Sequence, residues 1–146
     1  MNTYVTALIE SLEKKVKILD EIEAKNAEQA ALLKEETFSF DKFDVNTEEK
    51  GVLIFRLNKL DEGFESVFEK VRDELNANRS AYASEIKKMQ SLITKITEKS
   101  AVIEASEARN KAALENVFSK ERAKLKGSRS SVKAVKSYSQ AMNFKL

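Results

Sequence analysis

The side chains that most often perform catalysis or bind transition metals are missing from this sequence. Its 146 residues include no cysteine and no histidine. Thiolate and imidazole ligands, disulfides and nucleophiles activated by histidine are therefore excluded. The glycines Gly51, Gly63 and Gly127 are too far apart to form a phosphate-binding loop or a dinucleotide-binding fingerprint. We expect a protein that is not an enzyme and that needs no cofactor.

Carboxylates are the abundant groups that could still bind a metal ion. A di-metal site in a helical bundle pairs glutamates with histidines one helical turn away. Because the chain has no histidine, we interpret these carboxylates as a solvated helix face and predict no metal. The carboxylates concerned are Glu48, Glu49, Asp61, Glu62, Glu65, Glu69, Asp73 and Glu74.

The C-terminal end is basic. Residues 108–146 contain 10 Lys or Arg against 2 Asp or Glu, whereas residues 1–50 contain 7 against 12. A basic segment can contact phosphates, anionic lipid or an acidic protein, or it can simply solubilise the chain. Four apolar residues recur here at the spacing of helix-in-groove anchors, which indicates a protein partner or packing on the chain's own helices. They are Val132, Val135, Tyr138 and Met142.

These groups must be positioned by long helices. The chain has no proline, and charged residues make up 34% of it, a composition typical of coiled coils. Apolar residues recur in steps of four and three from Val5 through Ile9, Leu12 and Val16 to Leu19. We predict an all-α fold, a long antiparallel helical hairpin or coiled coil with a third helix and a basic C-terminal tail.

The predicted boundaries follow from breaks in these patterns. We expect helices over about 3–36, 47–103 and 107–126 in a single domain 1–126, followed by the tail 127–146. Asn2 or Thr3 is the predicted N-cap, and Asn46 with Glu49 resembles a capping box that starts the second helix. The aromatic segment 37–46 is the predicted loop, with its three phenylalanines over the helix ends. Two successive steps of four, from Val71 through Leu75 to position 79, form a stutter that allows a kink.

The first 15 residues contain an apolar run that Glu10 and Glu13 interrupt. It is too short for a signal peptide or a membrane span. We therefore expect a cytoplasmic protein without stable membrane insertion.

Several segments of the chain resemble one family. The first helix reads Y-V-x-x-L-I-E-x-L-E over residues 4–13, and the second opens with T-E-E-K over 47–50, followed by Leu53, Leu57 and Leu60. A long charged helix and a basic end, R-S-S-V-K-A-V-K-S-Y over 129–138, complete the pattern. In these features the sequence resembles the FlgN family of flagellar type III export chaperones.

The resemblance implies a partner and a site. Such chaperones bind the terminal segments of hook-filament junction proteins, keep them unassembled and deliver them to the export machinery. The resemblance places the partner-binding site on the C-terminal helical part and gives Tyr138 a role in engaging the export gate. The corresponding positions are Leu114, Phe118, Leu125, Val132, Val135 and Met142.

Two other functions fit the same residues. The chain could be a structural coiled-coil adaptor that self-associates through its apolar stripe, or a membrane or nucleic-acid binder that uses the basic end. The chaperone hypothesis predicts no nucleic-acid partner and a monomer or weak homodimer. The adaptor predicts a stable oligomer, and the third function predicts binding that added salt abolishes.

Overall fold

The computed structural model describes residues 2–124 and contains three α-helices in that range. They are α1 (Thr3–Leu33), α2 (Phe40–Ala77) and α3 (Ala83–Lys124), and no strand occurs among the described residues. The predicted all-α class is confirmed, as is the third helix. The predicted boundary between domain and tail lies outside the described residues.

Helix α1 begins as the sequence predicts. The side-chain oxygen of Asn2 accepts a hydrogen bond from the backbone N–H of Tyr4 at 2.8 Å and a longer one from Val5 at 3.4 Å. These bonds satisfy amides that have no acceptor within the helix. Asn2, and not Thr3, is therefore the N-cap.

The predicted start of α2 is wrong. The helix begins at Phe40, where the Ser39 hydroxyl accepts a hydrogen bond from the Lys42 N–H at 3.3 Å. Asn46 does not cap a helix, because its side-chain amide donates to the carbonyl of Lys25 at 3.0 Å and to Glu28 at 3.1 Å. The Asn46 side chain is thus bonded to α1 and is not available to cap α2.

The long second helix predicted over 47–103 is also wrong. Helix α2 ends at Ala77, and the turn that follows is closed by a 3.0 Å hydrogen bond from the Ala81 N–H to the Asn78 carbonyl. The Asn78 side chain competes for the helix backbone by donating to the Glu74 carbonyl at 3.1 Å. The stutter in the heptads falls at this turn. Conversely, the break predicted between the helices 47–103 and 107–126 falls in the interior of α3.

The described residues form two compact units. The first contains residues 2–22 and 52–101, where α1 and α2 run antiparallel: Lys15 meets Asp61 at 2.7 Å, and Asn2 meets Glu74 at 2.9 Å. An ion pair between Lys99 and Asp20 joins α3 to α1. The buried apolar residues of this unit are Val5, Leu8, Ile9, Leu12, Leu19, Ile22, Leu53, Ile54, Leu57, Val71, Leu75, Met89 and Ile96.

The second unit contains residues 23–51 and 102–124, and an aromatic cluster dominates its core. Phe43 is fully buried against Leu32 and Leu33 at the end of α1, and Phe38 meets Phe40 edge to face at 4.9 Å. The prediction that these phenylalanines cover the helix end is confirmed, although Phe40 and Phe43 belong to α2 and not to a loop.

At the margin of the second unit, the Lys25 ammonium donates to the Glu49 carboxylate at 2.9 Å. That hydrogen bond raises the pKa of Lys25 above its ordinary value. Because the folded-state pKa is raised, the stabilisation is fully present at neutral pH and is lost only as the pH rises through the raised pKa.

Candidate partner-binding site

An open groove of about 470 Å³ lies between α1 and α2 within the first unit. The α1 residues are spaced one helical turn apart, so they share one face of the helix. The α2 residues lie in two adjacent rows of four-residue steps. The lining consists of Lys14, Lys17, Ile18 and Glu21 from α1 and of Phe55, Arg56, Lys59 and Leu60 from α2. We call this surface the basic groove.

Phe55 is the most exposed large apolar side chain of the basic groove. It is 62% exposed, while Ile18 and Leu60 beside it are partly buried. The Lys59 ammonium lies 5.5 Å from the centre of the Phe55 ring, within cation–π range. A large ring left in water next to two aliphatic side chains is the kind of anchor on which protein interfaces concentrate their binding energy.

The charges around the basic groove are mostly positive. Four cations line it, and Glu21 is its one carboxylate, which gives a net charge of 4 − 1 = +3. Within residues 2–124, Lys14, Lys17 and Arg56 make no ion pair. Lys59 reaches Glu62 at 3.5 Å between exposed side chains, a weak pair in water. The cations are therefore available to a ligand.

A buried polar layer crosses the second unit and differs in character from the basic groove. The Lys50 side chain is 2% exposed, and its ammonium lies 2.7 Å and 2.9 Å from the two carboxylate oxygens of Glu107 on α3. It also donates to Asn26 at 3.3 Å and to Gln29 at 3.4 Å on α1. Asn110 of α3 completes the layer by donating to the Asn26 carbonyl at 2.9 Å.

This polar layer is structural in its arrangement. Each charged or amide group faces another helix of the same unit, and the Lys50 ammonium is enclosed by acceptors. Among residues 2–124, buried Gln29 Nε2 and Asn46 Oδ1 find no hydrogen-bond partner. A buried charge with well-placed partners fixes how helices align more than it adds stability. The layer leaves no charged group open to a ligand.

Two of the predicted partner-binding residues are buried. Leu114 and Phe118 are each 1% exposed and belong to the core cluster of the second unit. The Phe118 ring stacks on Phe40 with centroids 5.7 Å apart and planes 6° apart. Binding a partner through these two side chains would require this unit to open. Their role as contacts stays a prediction.

The other predicted contacts, Leu125, Val132, Val135, Tyr138 and Met142, lie outside the described residues. Their role also stays a prediction.

Sequence reasoning missed the basic groove. Phe55 does not belong to the apolar stripe through Leu53, Leu57 and Leu60, so the periodicity of α2 does not indicate it. The signal was nevertheless there, since Val52 and Phe55 are apolar residues on the helix face that the charged residues occupy. Val52 and Phe55, three residues apart, form a second apolar patch on the exposed side of α2.

Neither a metal centre nor a membrane span is found in the described part of the chain. Within residues 2–124, no group of three or more acidic side chains is arranged to hold a metal ion. None of the three described helices has an apolar stretch long enough to cross a lipid bilayer.

Comparisons of the chain with protein-family models, curated proteins and solved structures gave no match.

Proposed function

We propose that this protein is a non-enzymatic chaperone that binds a helical segment of another protein in the basic groove. The observation that carries the proposal is the exposed Phe55 ring, which lies beside Ile18 and Leu60 among four cations. Three of these cations make no ion pair within residues 2–124, and the fourth, Lys59, has only the weak pair with Glu62. An amphipathic helix can place its apolar face on these three side chains, as helix-in-groove ligands do.

The physics of such a site suits a reversible carrier. A disordered client segment that becomes helical on binding pays an ordering cost that offsets part of the contact energy. The interaction then holds the segment out of assembly without trapping it. The groove is built on two helices of a packed unit, so the chaperone side needs little rearrangement.

The resemblance to the FlgN family supplies the proposed client and setting. In this proposal the clients are terminal segments of hook-filament junction proteins, and the chaperone works in the cytoplasm with the flagellar export machinery. The basic C-terminal residues, including Tyr138, are the proposed contact with that machinery. No cofactor takes part.

The test is a calorimetric titration of the full chain with terminal segments of the hook-filament junction proteins from the same organism. We expect one-to-one binding at micromolar affinity or tighter. Phe55→Ser should abolish it, whereas Ile93→Ser, which changes an apolar side chain 47% exposed on α3, should not. Binding that survives Phe55→Ser would remove the groove from the proposal.

A deletion must be chosen with the fold in mind. Removing residues 108–146 would take Leu114 and Phe118 out of the core of the second unit and unfold it. Removing only residues 125–146 tests the C-terminal contacts without touching the described core. If no segment binds and the protein forms a stable oligomer, the self-associating adaptor is the better function.

A further inference from the structure

We infer that the segment bound in the basic groove is an acidic amphipathic helix, with carboxylates flanking a short apolar face. This inference rests on the proposed function and names its partner class. It comes from the charges of the groove and not from the resemblance to a family.

Charge is distributed unevenly along the basic groove. Because Lys15 meets Asp61 and the two helices run antiparallel, moving six residues along each places Glu21 opposite Phe55. By the same count, Lys17 lies opposite Lys59. The groove therefore has one end at Lys14 and Lys17, where its lining contains no carboxylate, and another end at Phe55, where Glu21 and Arg56 lie. The Lys59 ammonium lies between them, 5.5 Å from the centre of the Phe55 ring.

The charge of the basic groove disfavours two other occupants. The chain's own residues 125–146 carry five Lys or Arg and no Asp or Glu. Like charge would repel them from a surface with a net charge of +3. A neutral apolar segment would cover Phe55 but would leave the surrounding cations without partners. A helix with flanking carboxylates can cover the Phe55 ring with its apolar face and pair its carboxylates with the groove cations.

The experiment uses three synthetic peptides of about 18 residues with the same leucine face and with Glu, Gln or Lys on its flanks. Fluorescence anisotropy measures their affinity for the full chain. We expect the Glu peptide to bind at least about tenfold more tightly than the Gln peptide and the Lys peptide to bind most weakly. Raising the salt to about 1 M should reduce the difference, because the Debye length falls to about 3 Å.

Matched variants assign the binding to the groove. Lys14→Glu with Arg56→Glu should weaken the Glu peptide about tenfold or more, whereas Lys87→Glu with Lys88→Glu, two exposed lysines on α3 of the same unit, should leave its affinity unchanged. Glu21→Gln should strengthen binding about twofold to threefold, because it removes the one like charge. A structural defect would not produce that gain.

The outcomes separate this inference from the proposed function. If the Gln or Lys peptide binds as tightly as the Glu peptide and Phe55→Ser abolishes both, the groove binds helices but the acidic class is wrong. If the Glu peptide binds equally to the wild type, to Phe55→Ser and to the charge-reversed variant, it binds elsewhere, and both are wrong. If none of the three peptides binds, the proposed function fails with the inference.

Discussion

Lys50 shows how a single residue can be polar in sequence and internal in structure. Its position in T-E-E-K, among three polar neighbours, gives no sign of burial. In the fold it is almost completely enclosed, and Glu107 with the side chains of Asn26 and Gln29 supplies its acceptors. A lysine ammonium is buried only where such partners replace water.

The ion pair of Lys50 with Glu107 should lose more stability when one partner is replaced than when both are replaced. Lys50→Met leaves the Glu107 carboxylate, only 14% exposed, without its partner, and we expect a loss of about 3 kcal/mol in the free energy of unfolding. The double variant Lys50→Met with Glu107→Leu should recover most of that loss, because no unpaired charge remains. Urea denaturation of the two single variants and the double variant measures the coupling. Additive losses would contradict a mutually dependent pair.

Phe118 gives a second prediction at the residue scale. Phe118→Ala removes a buried ring that contacts Phe40 and Phe38, so we expect about 3–5 kcal/mol of destabilisation. Thermal unfolding followed by circular dichroism would detect it. Phe55→Ala should change the melting temperature little, since most of that ring is in water. Equal losses from both variants would mean that Phe55 is part of the core.

At the scale of helices, the heptad pattern predicted the helical class and α1, but it did not predict where α2 begins and ends. The all-α class, the N-cap at Asn2 and nearly the full extent of α1 follow from apolar spacing and capping chemistry. The number of helices agrees, although the predicted helices 47–103 and 107–126 do not match α2 and α3. The ends of α2 do not follow from the spacing, because a tertiary contact of Asn46 prevents the predicted cap and a local side-chain bond of Asn78 competes with the helix at its end. Asn46 bonds to α1 instead of capping α2, and Asn78 turns the chain where a continuous stutter was equally compatible with the sequence. The basic groove was missed because periodicity identifies buried faces, and Phe55 is on an exposed one.

The interior of α2 gives a prediction about helix propensity. Gly63 is an exposed helical residue, and an added Cβ would meet nothing within 4 Å. Gly63→Ala should therefore stabilise the protein by about 0.5–1 kcal/mol, since alanine loses less conformational freedom on folding. Chemical denaturation checks this, with Gly63→Pro as a control that should destabilise strongly by breaking the helix. A destabilising alanine would mean that this position is not helical in solution.

For the whole molecule, the N-terminal and C-terminal parts of the chain carry net charges of opposite sign. Residues 1–124 carry 21 Lys or Arg and 24 Asp or Glu, a net charge of 21 − 24 = −3, whereas residues 125–146 carry +5. The basic groove is thus a local positive surface on an acidic region, and its selectivity depends on where the cations lie. The +2 total for the chain conceals both features.

This distribution predicts what truncation will do. Deleting residues 125–146 should leave the affinity of the acidic peptide within about twofold of the full chain, because the four groove cations lie between Lys14 and Lys59 and the deletion removes none of them. Peptide anisotropy on both forms, at matched ionic strength, measures the difference. A large loss would show that the basic C-terminal residues share in binding, as the sequence resemblance implies.

The polar layer around Lys50 also constrains how this protein can change over evolutionary time. An apolar residue at position 50 would leave Glu107 unpaired, and an apolar residue at 107 would leave a buried ammonium without its carboxylate. Among descendants of this sequence, the two positions should therefore change together, in one step or through a short-lived intermediate. Positions 26, 29 and 110, which bond to the same groups, should follow them. The polar layer thus couples the substitutions that α1, α2 and α3 can accept.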